Sequence, residues 1–418
     1  MGQEKGISVG IDIGSTKTCC VICQMADKGG DFKLIGAGIA PCSGMKKGVV
    51  VNIDETVRSI ETAVQKAEKM ANTKVDHAFV GISGEHIRGI NTQGAIAISK
   101  NGHHVNYEHE ITNSDIARVL DMAKAISLPV DREILHILPQ EYVVDQQRGI
   151  KDPLVMVGRR LEARVHLITG SVSATKNITK CVEEVGISVL GLIFQPLAAA
   201  SATLERHEKE LGIALVDVGG GTTDLAVFHD GGIKHSAVIG LGGDNITNDL
   251  AKMLQVSIAE AEDIKIKYGS ARADMASTEL EIELAKGPSE ISRHVSEHEV
   301  SRYVEARMVE ILQLTKREIS RANVENPVTF GAVLTGGGAL LRNVTSLAEE
   351  ILEGPVKLGI PRGLSGVVDV AVSPMYSSGI GLLQYGISVT DEFNLGVDRE
   401  NPVSGLFRKA RDWFSALF

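Results

Sequence analysis

The chain has 418 residues, and its 43 Lys+Arg against 53 Asp+Glu leave a net charge of -10 at 43% hydrophobic content. Those values describe a globular protein of roughly two or three domains and disfavour nonspecific nucleic-acid binding across its body. The five cysteines, an odd number without paired clusters, exclude a disulfide framework.

Strand-like runs at 7–13, 17–23 and 33–39 open the chain. Alternation in the second run sends Cys20 and Cys23 to opposite faces, so their C-x-x-C spacing reads as core packing and not as a metal or redox pair. A helix starting at Asp54 follows, with the apolar stripe Val57, Ile60, Val64, Ala67 and Met70. The strand His77 to Ser83 then leads into a less regular stretch that reads as an inserted subdomain. Within it lie a helix from Thr112 or Ser114 to Ile126 and the strand-like Glu133 to Asp145.

Regular periodicity resumes with a strand from Leu161 to Gly170, a helix from Ser173 to Val185 closed by Gly186, a strand from Val189 to Phe194 and a helix after Pro196. The opening pattern then repeats: strands 213–217 and 222–228, a hairpin turn at Gly231-Gly232, and a return strand 233–238. A second, mostly helical insertion follows Gly242. The helix near 299–321 carries Val300, Val304, Met308, Ile311, Leu312, Thr315 and Ile319 on one face. Strand Val328 to Leu334 ends in Thr335-Gly336-Gly337-Gly338. After Gly386 periodicity is lost, and 387–404 reads as a flexible linker.

Two segments share one pattern, a buried strand running into a glycine- and hydroxyl-rich turn: Val9-Gly10-Ile11-Asp12-Ile13-Gly14-Ser15-Thr16 and Leu215-Val216-Asp217-Val218-Gly219-Gly220-Gly221-Thr222-Thr223-Asp224. Glycines let backbone amides approach a phosphate, and an acidic residue at a strand end can hold a metal-bound water. Two such loops suggest one nucleotide gripped from both sides. Phe194-Gln195-Pro196, Leu241-Gly242-Gly243-Asp244, Ala261-Glu262-Asp263-Ile264-Lys265 and Leu334-Thr335-Gly336-Gly337-Gly338 follow in a fixed order.

That succession resembles the actin/heat-shock-chaperone/sugar-kinase ATPase superfamily. With Tyr376-Ser377-Ser378-Gly379-Ile380-Gly381 and the terminal segment, the chain is most similar to the FtsA family of bacterial cell-division proteins. The resemblance implies an α/β fold of two actin-like lobes, with a relocated inserted subdomain, a C-terminal amphipathic helix, and ATP and Mg²⁺ between the lobes. The implied first lobe is 1–84 with 161–195 and about 372–386. The inserted subdomain, used for polymer contacts, is 85–160. The second lobe is 196–229 and 306–371, with its own insertion at 230–305.

By the same resemblance Asp12 and Asp217 face the Mg²⁺ hydration shell. Phosphate falls to the loop residues Gly14, Ser15, Thr16, Gly219, Gly220, Gly221 and Thr222 with Lys17, and Gly242 and Gly243 complete the cofactor set. Glu262 and Lys265, three apart on one helical face, address the ribose, while Gly336 and Gly337 accept the adenine. Gln195, with Asp217 and Asp12, forms the candidate catalytic set, because it matches the position that orients the attacking water; its alternative role is a cap on the following helix. No arginine of either loop stands out as a finger. ATP is therefore a structural or polymerisation ligand, with slow hydrolysis as the enzymatic alternative.

Residues 405–418 read GLFRKARDWFSALF. At 100° per residue Leu406, Phe407, Ala410, Trp413, Phe414, Leu417 and Phe418 span an arc of about 140°. Arg408, Lys409 and Arg411 against Asp412 give 3 − 1 = +2 on the polar face. This is the form of an interfacial helix that seeks anionic lipid, its alternative being a helix docked in a protein groove. No secretory h-region, no apolar run of roughly 18 residues and no myristoylation signal is present, so the expectation is a chain made in the cytoplasm that meets the inner membrane peripherally at the division site.

The partners implied by resemblance are further copies of the chain, later division proteins, and the carboxy-terminal peptide of the tubulin-like protein FtsZ. Arg293 and Arg302 are candidate contacts for that peptide in the second insertion, with solvated helix residues as the alternative. Two other readings share the loops: a scaffold of pilus assembly, and a soluble sugar-kinase-type phosphotransferase that would have no use for the tail.

Overall fold

A computed structural model of the chain describes residues 7–25, 32–98, 109–284, 293–322, 328–366 and 372–392. The repeated pattern builds two sheets of the same design. In the first, Ile7–Ile13, Lys17–Met25 and Phe32–Pro41 form an antiparallel meander. His77–Ile82 and Ser188–Phe194 extend it in parallel from the first strand. In the second, Ile213–Val218, Thr223–His229 and Gly232–Ile239 form the meander, extended in parallel by Ala332–Thr335 and Val356–Leu358.

Continuous apolar runs suit such strands, because helices cover both faces. Strand Lys17–Met25 shows the division: Cys20 and Ile22 enter the core under helix Ile53–Ala71, whereas Cys19, Val21 and Cys23 pack toward helix Ser377–Glu392. All five cysteines are buried free thiols, and Cys20 and Cys23 lie on opposite faces as the alternation predicts.

Local signals place most boundaries within two residues. Helix Ile53–Ala71 is capped by Asn52, whose side chain accepts from the Glu55 N–H, and not by Asp54, which sits in the first turn. Its buried stripe is Ile60, Ala63, Val64 and Ala67; Met70 is exposed, because the stripe ends where Asn72 turns the chain out in the left-handed region. The hairpin turn lies one residue earlier than expected: Asp230 (φ 51) and Gly231 (φ 71) supply the two positive φ angles that a tight hairpin needs.

The inserted subdomain is a four-stranded sheet, Gln147–Ile150, Arg132–Val144, Arg160–Ser171 and Arg88–Ala97, with helix Asn113–Lys124 on one face. Strand Arg160–Ser171, expected in the first lobe from 161 onward, pairs along its whole length with both insert strands, so the insert reaches past 160. Similarly Leu364–Gly366, expected in the second lobe, adds in parallel to Phe32–Pro41 of the first.

Around helices Gly243–Leu254, Ile258–Tyr268 and Glu297–Ser320, the second insertion also holds a hairpin of Glu281–Leu284 with Arg293–Ser296. Four-residue strands are too short to announce themselves by period. Helix Ser377–Glu392 runs beyond Gly386 into the segment expected to be linker, and it packs on helix Gln195–Thr203. No helix among the described residues is long and apolar enough to cross a membrane. The terminal helix expected at 405–418 lies outside the described residues.

Candidate functional site

The two loops close with the same turn, the Gly14 N–H donating to the Lys17 carbonyl at 2.9 Å and the Gly219 N–H to the Thr222 carbonyl at 2.9 Å. They meet tip to tip across the cleft. A methyl group on Gly221 would lie 2.5 Å from Ser15 Oγ, and one on Gly220 would lie 2.5 Å from Thr16 Cγ2. Glycine at both positions is what lets the backbones approach so closely.

Between the loops is a small polar cavity of about 60 Å³, lined by both turns together with Asp12, Gln195, Asp217, Asp224 and Ser378. It holds three buried carboxylates. Asp12 is the penultimate residue of the first strand of its lobe, while Asp217 and Asp224 are direct cross-strand partners in the second. Burial and the neighbouring Asp217 charge push Asp224 up to about 8, against the pull of hydrogen bonds from Ser83 and Thr222. Asp12 is pushed up to about 6, chiefly by burial, with the Lys17 charge opposing. Asp217 is raised by burial, and its Oδ2 accepts from Ser378 Oγ at 2.7 Å.

Desolvated acids packed this closely hold protons more tightly than free ones unless a cation joins them. The donor set suits a hard divalent cation. No group of three His, Cys, Asp or Glu side chains among the described residues is arranged to hold a metal directly. Gln195, 9% exposed, donates from Nε2 to Asp12 Oδ1 at 2.5 Å and thereby faces the cluster, although it is also the first residue of helix Gln195–Thr203. Lys17 sits at the rim, its Nζ donating to the Met375 carbonyl at 2.5 Å.

Next to this cavity opens a larger one of about 340 Å³, lined by Gly243, Glu262, Lys265, Gly337 and Leu341 among others. Glu262 and Lys265 meet as the helical spacing requires: Lys265 Nζ lies 2.6 Å from Glu262 Oε2 and also donates to Thr247 Oγ1 at 2.8 Å. Gly336 holds φ 81, which turns the backbone so that Gly337 is left bare, with nothing within 4 Å of where its side chain would stand. The amides of Gly243 and Asp244 donate to the carbonyls of Gly219 and Gly220 at 2.9 and 2.8 Å. Gly243 and Asp244 therefore brace the second loop, and a methyl group on Gly242 would lie 2.5 Å from the Gly220 carbonyl oxygen.

Apart from Gly242, the body residues expected to hold a nucleotide line these two adjoining cavities, where Asp224, Ser378 and Asp244 join them and Ser83 bonds to Asp224. Asp224 was legible in principle, because a tight antiparallel hairpin puts residues 217 and 224 opposite each other. Ser83 and Ser378 had no such signal, since each reaches the site from a remote part of the chain.

Of the two candidate partner residues, Arg293 is turned inward, donating to the carbonyls of Leu254 and Gln255 at 3.0 and 3.2 Å, where it caps the end of helix Gly243–Leu254. Arg302 is exposed on helix Glu297–Ser320. Leu406, Phe407, Arg408, Lys409, Arg411, Trp413, Phe414, Leu417 and Phe418 lie outside the described residues.

Family comparison decides the kinship. Residues 214–381 match the family model described as cell division protein FtsA, and residues 84–169 match the SHS2 domain inserted in FTSA. The chain is 40% identical over 422 residues to the cell division protein FtsA of Pseudomonas aeruginosa, spanning 100% of this chain and 99% of that one. The chain belongs to the FtsA family of cell-division proteins.

Other FtsA proteins agree, that of Neisseria meningitidis at 38% over 421 residues, spanning 100% of this chain and 99% of that one, and that of Escherichia coli K12 at 33% over 390 residues, spanning 92% and 91%. The match at 84–169 takes in most of the strand Arg160–Ser171, which the resemblance had implied for the first lobe. Solved structures share the actin-like fold: the PilM-PilN type IV pilus biogenesis complex (TM-score 0.67, 15% identity, 92% of this chain and 99% of that one) and MreB5 of Spiroplasma citri bound to ADP (0.55, 14%, 94% and 100%). The MamK double helical filament also matches (0.52, 12%, 91% and 98%).

Proposed function

We propose that this chain binds ATP with Mg²⁺ between its lobes, assembles with further copies of itself, and tethers the FtsZ ring to the inner membrane through the helix at 405–418. The observation that carries the nucleotide half is the meeting of two identical loop turns over three buried carboxylates, beside a cavity of about 340 Å³ that ends in a bare glycine backbone. Mg²⁺, when bound, supplies positive charge that neutralises phosphate oxygens and the carboxylates together. Asp12, Asp217 and Asp224 would hold its waters, the loop amides would orient phosphate oxygens, and Glu262 with Lys265 would address the ribose. Gln195 would orient a water, although no arginine lines the small cavity. This suits ATP as a conformational ligand with slow turnover at most.

The named nucleotide of the MreB5 relative and the filament of the MamK relative support the same reading. Membership of a cell-division family, together with an amphipathic terminal segment of charge +2 on a body of net charge -10, supports reversible attachment to anionic lipid. Many tethered copies would raise avidity. Arg302, exposed and basic, is the stronger of the two candidates for an acidic FtsZ peptide.

The test is co-sedimentation with anionic liposomes, comparing the full chain with a version ending at Ser404, with and without ATP. Pelleting of the full chain only is expected; equal pelleting would overturn the tether. For the site, Asp217→Ala or Gly337→Asp should abolish nucleotide binding, and retained affinity would leave the loops merely structural.

A further inference from the structure

Two buried histidines fasten the inserted subdomain to opposite walls of the cleft. His136, on strand Arg132–Val144, is 5% exposed, and its Nε2 accepts the Phe194 N–H at 2.9 Å. Phe194 ends its strand, and the next residue is Gln195, whose side chain reaches Asp12. One peptide unit separates the histidine bond from the side chain that faces the carboxylates. An imidazole that accepts at Nε2 is neutral, and burial keeps it so by pushing His136 down to about 4.

His166, on strand Arg160–Ser171, is 1% exposed and serves the other wall. Its Nε2 lies 2.8 Å from Ser236 Oγ and its Nδ1 2.6 Å from Asn91 Oδ1. Asn91 also donates to the Lys234 carbonyl at 3.0 Å, and Gln140 of the insert donates to the Ile233 carbonyl at 2.7 Å. Ser236 belongs to strand Gly232–Ile239, which pairs with the strand that carries Asp224. The insert is therefore hydrogen-bonded to the backbone behind Gln195 on one side and to the strand beside Asp224 on the other. Buried polar bonds of this kind allow few alternative geometries, because each group left unpaired is costly.

We propose that the inserted subdomain sets the geometry of the nucleotide cleft, with His136 as a positioning residue for Gln195 and His166 as the fastening to the Asp224 wall, so that displacement of the insert changes how the cleft distinguishes ATP from ADP. This rests on the nucleotide reading above. The distinction falls on the terminal phosphate because Gln195 and Asp224 both line the small cavity between the loops, whereas the larger cavity beside Glu262 and Lys265 lies away from either histidine.

The experiment measures equilibrium affinities of the full chain for Mg·ATP and Mg·ADP by competition with a fluorescent nucleotide. It compares wild type with His136→Leu, which removes the acceptor at similar size, and His136→Gln, whose side-chain oxygen can accept the Phe194 N–H. The expected result is an ATP-to-ADP affinity ratio altered about tenfold in His136→Leu, with ADP affinity within about threefold of wild type, and restoration of the ratio in His136→Gln. Ser236→Ala should shift the same ratio in a chain whose first-lobe packing is untouched, so it carries the test if His136→Leu does not fold. A wild-type ratio in Ser236→Ala and in any folded His136→Leu would overturn the inference and leave the nucleotide reading standing. A wild type that binds neither nucleotide would overturn both.

Discussion

Asp217 and Asp224 stand directly opposite each other across a tight antiparallel hairpin, both buried, with hydrogen bonds from Ser378, Ser83 and Thr222 and the nearby Lys17 charge set against their mutual repulsion. Like charges at a cross-strand position destabilise a sheet. The pair is therefore expected to cost stability in exchange for charge aimed at a ligand, which is how strain collects at functional sites.

Asp224→Asn separates these two effects. The amide keeps an acceptor for Ser83 and removes the like charge, so the ligand-free protein should melt about 1–3 °C higher. If the proposed Mg²⁺ site is right, Mg²⁺-dependent ATP affinity should fall about tenfold or more, because one of the three carboxylates assigned to the cation's waters is gone. The sign with pH follows from a folded value raised from 3.8 to about 8. A raised acid loses its stabilising contribution as pH climbs through that window, so the thermal advantage of the variant should grow from pH 5 to pH 8. Thermal melts across that range check the first claim, and titration calorimetry checks the second.

Adjacent glycines should behave differently. A methyl group on Gly336 would lie 2.2 Å from Asp217 Oδ1 at a φ of 81, whereas one on Gly337 meets nothing within 4 Å. Gly336→Ala is expected to cost about 2 kcal/mol or more of folding stability through clash and backbone strain. Gly337→Ala should leave stability within about 0.5 kcal/mol and still weaken nucleotide binding, because the added methyl occupies the cavity face. Chemical denaturation and nucleotide titration of both variants decide the matter.

Much of this architecture was legible because its signals were local. The repeated strand–turn pattern exposed both loops, and Glu262 with Lys265 could be paired from helical spacing alone. What sequence could not supply was the long-range pairing. Strand Arg160–Ser171 looked like a first-lobe strand until its ladders to Arg88–Ala97 and Arg132–Val144 were seen, and Ser378 reaches Asp217 over 161 positions of chain. Arg293 illustrates the same limit: composition shows a charge, and only the fold shows whether it points at solvent or at a helix end.

For the two arginines, the contrast is between packing and partner contact. Arg293→Ala deprives the carbonyls of Leu254 and Gln255 of their donor and should destabilise the chain by about 1–2 kcal/mol. Arg302→Ala should change stability by less than about 0.5 kcal/mol, as exposed substitutions do, while weakening capture of an acidic FtsZ peptide severalfold. Denaturation midpoints and peptide binding by anisotropy measure both; an unchanged peptide affinity in Arg302→Ala would remove it from the contact surface.

His136 also predicts a pH signature. Burial lowers its folded value from 6.5 to about 4, so the folded state binds fewer protons than the unfolded chain between those limits. Stability carried by the neutral ring is fully present above pH 6.5 and is lost as pH falls toward 4. His166, likewise buried and lowered to about 4, adds the same dependence, whereas the raised carboxylates Asp12 and Asp224 contribute with opposite sign. The clean measurement is therefore a difference. His136→Gln cannot titrate, so its deficit relative to wild type at pH 7.5 should shrink by about 2 kcal/mol on going to pH 5. Urea denaturation of both proteins at four or five pH values gives that difference directly, and a deficit independent of pH would mean that the ring is not held neutral by the fold.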